Sequence, residues 1–187
     1  MNTTLISLMI LVVLGLLLAG AYNLLVRSRN RTKEAWADID VQLKRRYDLI
    51  PNLVEAVKGY AAHESQVLEN VTRARSAAMN AGQSGNVKEM AQAENMLSGA
   101  LKSLFALSEA YPQLRAVESF TKLQDELTDT ENKIQAARRF YNTNVMNLNT
   151  QIEQFPSNIV ANMFNFKKEE FFELENETER ENIRVSF

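Results

Sequence analysis

Hydrophobic and polar positions divide the chain into an N-terminal apolar block and a longer, regularly patterned region. From Leu5 to Val26 no residue is charged, and the polar side chains are Ser7, Tyr22 and Asn23. With a helical rise of 1.5 Å per residue this block would extend roughly 33 Å, enough to cross the hydrocarbon core of a bilayer. The pattern predicts a transmembrane helix at residues 5–26, after a short tail at residues 1–4.

Basic residues follow the apolar block at once, whereas the tail before it carries no charged side chain. The positive-inside rule therefore predicts a single-pass protein with its N-terminus outside and the remainder in the cytoplasm. The same residues are predicted to contact lipid headgroups: Arg27, Arg29, Arg31 and Lys33. The alternative is a cleaved signal peptide, since Ala19 and Ala21 have suitable spacing, but such peptides have their positive charge before the apolar run.

The rest of the chain has helical periodicity. Between Thr32 and His63, apolar residues recur every three or four positions, at Trp36, Ile39, Leu43, Tyr47, Ile50, Val54, Val57 and Ala61. Pro51 predicts a kink near Leu49 and Ile50 with the apolar face continuing, and Ser65 to Ala81 can extend this helix. Two further helices are predicted, at Val87–Tyr111 and from Phe120 to Phe155, with turns at residues 81–86 and Pro112.

Composition agrees with this pattern. The chain has six glycines and three prolines among 187 residues, which is too few turn residues for a many-stranded sheet. We therefore predict an all-α fold, in which residues 27–156 form an antiparallel, coiled-coil-like bundle of three to four long helices after the transmembrane helix. Residues 157–187 are predicted to add a short helix at Ile159–Phe164 and an acidic tail that is partly disordered.

Charge and cysteine content exclude several kinds of site. The absence of cysteine excludes disulfides, thiolate metal sites and cysteine nucleophiles. A net charge of −2 provides no broad basic surface for nucleic acid. No phosphate-binding loop or nucleophile motif is present, and the lone His63 lacks the second histidine of a zinc motif because position 67 is Val67. We predict no catalytic residue, cofactor or metal, and assign His63 a capping or packing role.

Several stretches resemble the LemA family of bacterial membrane-anchored proteins. They are Ala35 to Val54 (AWADIDVQLKRRYDLIPNLV), Ala61 to Glu64, Val71 to Arg75, Ala136 to Thr143 (AARRFYNT), Phe155 to Asn158 and Val185 to Phe187. The resemblance implies a helical bundle on an inner-membrane anchor and no defined biochemical role. Some members are magnetosome proteins, which would imply an assembly role, but no residue of this sequence selects it.

The basic run after Leu43 is the main candidate interaction site. Lys44, Arg45, Arg46 and Asn52 could form a face that binds a protein partner or anionic lipid. A straight helix would place Arg45 roughly 30 Å beyond Val26, too far for headgroup contact without a bend. The favoured interpretation is a solvated helix face beside a proline kink.

Two other groups of residues invite a functional interpretation. One is a polar cluster of Asn142, Asn144, Asn147 and Asn149, most of which are expected to be exposed. Within it, Asn142 and Asn149 lie a heptad apart and could line a seam. The Met90–Met96 and Phe140–Tyr141 stripes are predicted to belong to the core.

The sequence as a whole favours a membrane-anchored scaffold or adaptor that acts through unidentified protein partners or self-association. The alternatives are an accessory subunit of a membrane enzyme or protease system, with a site formed only on assembly, and an exported envelope domain.

Overall fold

The structure, a computed structural model, describes residues 3–61 and 63–172. In that part of the chain it contains six α-helices and no strand, which confirms the all-α prediction. The helices are α1 (Thr3–Lys58), α2 (Ser65–Ser84), α3 (Val87–Ala110), α4 (Pro112–Arg115), α5 (Glu118–Glu153) and α6 (Ser157–Met163). They belong to two compact units, and α1 and α5 contribute residues to both. The predicted acidic tail beyond residue 172 lies outside the described residues.

Helix α1 ends at Lys58, earlier than the sequence pattern predicts. The apolar block and the first amphipathic segment form one helix, and this helix continues through Pro51 to Lys58. The apolar face continues past the proline as predicted, with Leu53 and Val57 fully buried. The expected extension into residues 65–81 is wrong, because α1 ends before Gly59 and α2 is a separate helix.

The end of α1 follows from packing. Glycine is about 1 kcal/mol less favourable than alanine inside a helix, so Gly59 is a weak point. The backbone N–H groups of Tyr60 and Ala61 both donate to the Val57 carbonyl, which closes the helix. The reversal allows α2 to bury its apolar side chains in the same core as α1, at Leu68, Val71 and Ala78.

Among the described residues, unit 2 comprises 42–61, 63–134 and Phe172. Hydrogen bonds fix the direction of its helices. Arg75 Nε on α2 donates to the Tyr47 carbonyl on α1 (2.8 Å), and the Tyr111 hydroxyl after α3 donates to Glu64 before α2 (3.3 Å). Helix α2 is therefore antiparallel to both α1 and α3, as expected for a bundle with short connections. Helix α5 returns antiparallel to α3 and adds Phe120 and Leu127 to the core.

The turn between α2 and α3 lies where the sequence predicts it. Gly85 has φ 71°, a left-handed conformation that glycine adopts without steric cost. Asn86 caps α3, since its side-chain oxygen accepts from the N–H groups of Lys88 (3.0 Å) and Glu89 (3.2 Å) and its amide donates to the Glu89 carboxylate (3.0 Å). These bonds satisfy backbone donors that a helix start leaves free.

Among the described residues, unit 1 comprises 3–41 and 135–171, so it is assembled from two distant parts of the chain. Its core contains Leu25 of α1, Leu148 and Ile152 of α5, and Val160 and Ala161 of α6, with Ala21 and Phe166 packed against it. A second contact pairs the Trp36 and Tyr141 rings, whose centres lie 5.2 Å apart. The predicted short helix is confirmed as α6.

The chain reverses direction after α6 at Asn165, which has φ 54°. The Phe166 N–H donates to the Ala161 carbonyl (2.9 Å) and the Asn165 N–H to the Asn162 carbonyl (3.3 Å). This is the Schellman pattern, in which a left-handed residue satisfies the last carbonyls of a helix. The turn directs Phe166 back onto the core of unit 1.

Two predicted core side chains are exposed instead. Met90 and Tyr141 are buried as expected, but Met96 is 60% exposed and Phe140 is 54% exposed. The buried positions of α3 and α5 advance in steps of three and four residues, and Met96 and Phe140 fall outside those series. Hydrophobic identity alone placed them in the core, whereas helical phase places them at the surface.

Candidate functional site

The most unusual buried group in unit 2 is Arg46, whose side chain is fully buried. Its guanidinium pairs with the Glu94 carboxylate of α3. It also donates to the Glu131 carboxylate of α5 (2.6 Å) and to Ser98 Oγ of α3 (3.0 Å). One arginine thus joins three helices inside the unit.

Neighbouring hydroxyl groups complete this cluster, which we call the Arg46 cluster (Arg46, Tyr47, Glu94, Ser98 and Glu131). The Tyr47 hydroxyl donates to Glu94, and Ser98 Oγ donates to Glu131 (3.2 Å). Glu94 is fully buried, whereas the Glu131 side chain is 31% exposed. Because a buried charge without a partner is costly, each of these groups depends on the others.

The Arg46 cluster changes the interpretation of the predicted partner face. Lys44, Arg45 and Asn52 are exposed, and Arg45 lies 3.9 Å from Asp129. A solvated helix face therefore describes these three residues, but it is wrong for Arg46, which points into unit 2. A partner face that includes Lys44, Arg45 and Asn52 stays a prediction.

Sequence reasoning missed Arg46 although a signal was present. The buried series on α1 runs through Ile39, Leu43, Ile50 and Leu53, and position 46 continues its steps of three and four residues. Apolar identity alone favours Tyr47 in this series, because tyrosine is the more apolar residue. A charged residue in phase with a buried stripe points to a buried ion pair, since it needs partners there.

The basic residues after the apolar block are exposed in unit 1: Arg27, Arg29, Arg31 and Lys33. The Arg29 guanidinium carbon lies 5.1 Å from the centre of the Phe166 ring, a cation–π distance. Among the described helices, α1 alone is long and apolar enough to cross a membrane. Headgroup contact by the four basic residues stays a prediction.

The predicted asparagine cluster is split between exposed and engaged side chains. Asn147 is exposed, and Asn144 is buried, with its amide donating to the Phe140 carbonyl (2.8 Å). Asn149 binds the extended segment after α6, since its amide donates to the Glu169 carbonyl (2.9 Å) and its oxygen accepts from the Glu169 N–H (3.0 Å). Asn149 therefore attaches the segment to α5 as a neighbouring backbone would.

Tyr141 secures the same segment one residue further along. Its hydroxyl donates to the Glu170 carbonyl (3.0 Å). Burial, followed by the charges of Glu169 and Glu170, raises the pKa of Tyr141 to about 12. The hydroxyl thus remains a hydrogen-bond donor throughout the physiological range.

His63 is exposed in the turn between α1 and α2. Within residues 3–61 and 63–172, no group of three or more histidine, cysteine or acidic side chains could hold a metal ion. The acidic residues of the Arg46 cluster face an arginine and hydroxyl donors. That arrangement is suited to joining helices.

Several known proteins are similar to this chain in sequence. Magnetosome protein MamQ 2 of Paramagnetospirillum magneticum is 25% identical over 175 residues, covering 81% of this chain and 64% of its own length. Magnetosome protein MamQ of Magnetospirillum gryphiswaldense is 24% identical, covering 89% of this chain and 70% of its own. Protein LemA of Metamycoplasma hominis is 28% identical, with coverages of 89% and 75%.

This chain therefore spans a little under two thirds of the MamQ 2 relative, at 64% of its length. A protein-family profile covers most of this chain. It matches residues 35–187, which include the Ala35 to Val54 run and the Arg46 cluster. The apolar first part of α1 precedes the match, whereas α2 to α6 fall within it, and on this match the chain belongs to the LemA family.

Proposed function

We propose that this protein is a membrane-anchored scaffold or adaptor, which acts by binding other proteins or further copies of itself without catalysis. The observation that carries the proposal is the continuity of α1 from Thr3 to Lys58. The same helix provides a segment apolar enough to cross a membrane and an exposed polar surface at Lys44, Arg45 and Asn52. A partner bound there would be tethered to the membrane by a single element.

The Arg46 cluster supports this proposal because it fixes the rotation of α1 within unit 2. Arg46 is bound inward to Glu94 and Glu131, so the residues on the opposite side of α1 stay outward. Lys44, Asp48 and Asn52 recur at four-residue intervals on that side and are exposed. A mixture of positive, negative and amide groups suits a partner of complementary charge, since such groups contribute mainly to specificity.

The proposed location is a bacterial inner membrane, with the N-terminus outside and the chain after the apolar block in the cytoplasm. The support is the exposed basic run after the apolar block, since such residues are retained on the cytoplasmic side. Two of the relatives are described as magnetosome proteins, and an organising role at a membrane is what we propose by analogy.

Site-specific photo-crosslinking in intact membranes tests partner binding. A photoreactive residue at position 44 or 52 should give adducts, whereas one at Ser76, exposed on α2, serves as the control. An adduct of twice the chain mass would identify self-association, and a heavier or lighter one would identify another protein. Equal labelling from all three positions, or none from 44 and 52, would contradict the proposed face.

Protease treatment of spheroplasts tests the proposed orientation. The chain after the apolar block should be protected until the spheroplasts are lysed, and the full-length chain should persist. Digestion in intact spheroplasts would contradict that orientation and favour the exported alternative. Loss of the first residues would instead show cleavage of the apolar segment.

A further inference from the structure

Helix α6 exposes an apolar surface that packing within unit 1 does not explain. Ile159 and Met163 lie one turn apart on this surface and are 51% and 65% exposed, and Phe164, at the end of the helix, is 55% exposed. We call these three residues the α6 apolar face. The opposite side of the helix is buried at Val160 and Ala161. An exposed group of large apolar residues marks a contact surface.

Aromatic contacts locate this face relative to the apolar part of α1. The Tyr22 ring centre lies 4.7 Å from that of Phe164 and 6.0 Å from that of Phe166. Leu25 lies in the same core as Val160 and Ala161. Tyr22 precedes Val26, the last residue of the apolar block, by four residues, or about 6 Å of helix. Helix α6 is therefore held beside the end of the segment that is long enough to span a membrane.

We propose that the α6 apolar face inserts into the lipid of the same bilayer, at the boundary between headgroups and acyl chains. This inference rests on the proposed membrane anchoring. A helix fixed at the level of Tyr22 meets the bilayer surface whenever α1 spans it. Interfacial helices bury an apolar side to this depth, and aromatic residues concentrate at this level.

Nearby positive charge favours lipid as the occupant of this face. Arg27 and Lys167 are exposed on the elements that flank α6, and Arg29 stands over the Phe166 ring. Cations beside an apolar face match the arrangement of phosphate groups above acyl chains. The pair of α1 and α6 would thereby anchor unit 1 through a transmembrane helix and an interfacial one.

Single fluorescent labels can test this insertion because the chain has no cysteine. Met163→Cys and Phe164→Cys place an environment-sensitive fluorophore on the α6 apolar face. Phe140→Cys is the matched control, since Phe140 is 54% exposed and Phe164 55%. Phe140 also lies far from the level of Tyr22. Its neighbour Tyr141 contacts Trp36, which is 14 residues beyond Tyr22 along α1, or about 21 Å of helix. Leu14→Cys reports on the apolar segment itself.

Each labelled full-length variant is reconstituted into vesicles of phosphatidylcholine and phosphatidylglycerol that contain nitroxide-bearing lipid. We expect labels at 163 and 164 to shift their emission to the blue and to be quenched by nitroxides near the headgroups. The label at 140 should show neither change, and the label at 14 should be quenched by nitroxides deep in the bilayer. Met163→Cys leaves the Phe164 contact with Tyr22 intact, so it guards against misfolding.

The outcomes separate this inference from the proposed anchoring. If the label at 14 is quenched but those at 163 and 164 behave as the label at 140 does, the chain spans the bilayer and the interfacial role of α6 is wrong. If the label at 14 escapes quenching as well, the anchoring fails and the inference fails with it.

Discussion

Two arginines of α1 have opposite surroundings in the two units. Arg29, in unit 1, lies at the surface with its guanidinium carbon 5.1 Å from the centre of the Phe166 ring. Arg46, in unit 2, is fully buried and pairs with Glu94 and Glu131. Both residues belong to short basic runs that look alike in the sequence. The difference lies in helical phase, because position 46 continues the buried series of α1. Burial turns one arginine into an internal connector, while exposure leaves the other available to solvent or lipid.

The two units also differ in what holds their helices together. Unit 2 combines a large apolar core with the charged Arg46 cluster. Unit 1 has a smaller core, and its final segment is held by hydrogen bonds from side chains such as Asn149 to the backbone of that segment. Damage to the cluster should therefore weaken unit 2 as a whole, whereas damage to the Asn149 contacts should be local.

The largest effect is expected from Arg46→Ala. Removing the guanidinium leaves the Glu94 charge buried without its cationic partner, which costs about 3–5 kcal/mol of folding free energy. Arg45→Ala is the control, because the Arg45 side chain is 43% exposed and its ion pair is worth about 0.2–1 kcal/mol. Hydrogen exchange of the α3 amides in the full chain measures both, and equal effects would show that the cluster is not a stabilising unit.

A smaller effect is expected from Tyr47→Phe, which removes the hydroxyl that donates to Glu94. Hydrogen bonds to charged groups contribute about 1.5–3 kcal/mol, so α3 exchange should accelerate less than in Arg46→Ala. Tyr60→Phe, at a 49% exposed position, should leave the exchange unchanged. A Tyr47→Phe variant as stable as Tyr60→Phe would remove the hydroxyl from the cluster.

Local loosening is expected from Asn149→Ala in unit 1. Both hydrogen bonds to Glu169 disappear, each worth about 0.5–1.5 kcal/mol, so the Glu169 amide should exchange faster while the core of the unit does not. Asn149→Asp keeps the oxygen that accepts from the Glu169 N–H, so its exchange rate at Glu169 should lie between those of the wild type and Asn149→Ala. Asn147→Ala changes an exposed side chain on the same helix, and a similar acceleration there would contradict the specific role of Asn149.

The smallest effect at neutral pH is expected from the ionisation of Tyr141. Its pKa is about 12 in the folded protein and 10.0 for an ordinary tyrosine, so the folded state favours the protonated hydroxyl. This contribution is fully present below pH 10 and is lost as the pH rises towards 12. The denaturant midpoint of unit 1 should fall across that range, and Tyr141→Phe should remove this part of the fall. An identical pH profile in the variant would contradict the assignment.

Much of the fold is predictable because helices leave a strong periodic record. The turn at Gly85, the end of α3 before Pro112, and the short helix α6 lie where turn residues and apolar spacing place them. The start of α2 as a separate helix is harder to predict, since the sequence of residues 65–81 is also compatible with a longer α1. The reversal after Gly59 depends on tertiary packing of α2 on α1, which local propensity does not contain.

The sites are less predictable because they join residues far apart in the chain. The Arg46 contacts with Glu94 and Glu131 span 48 and 85 positions, so no local pattern identifies the partners. The Asn149 contact with Glu169 likewise depends on the left-handed turn at Asn165. The exposure of Phe140 and Met96, by contrast, can be predicted from the sequence, because both residues fall outside the buried positions of their helices.

The two-part composition of unit 1 bears on the order in which the protein can be completed during synthesis. Residues 42–134, which form most of unit 2, leave the ribosome as one continuous stretch. Unit 1 needs residues 135–171 to cover Leu25, so in the proposed topology the first part of α1 would enter the membrane long before its partners exist. Closing contacts across so many residues is slow compared with local pairing. A nascent chain would therefore pass through a stage in which the helix beside the membrane is bare, open to lipid, insertion factors or chaperones.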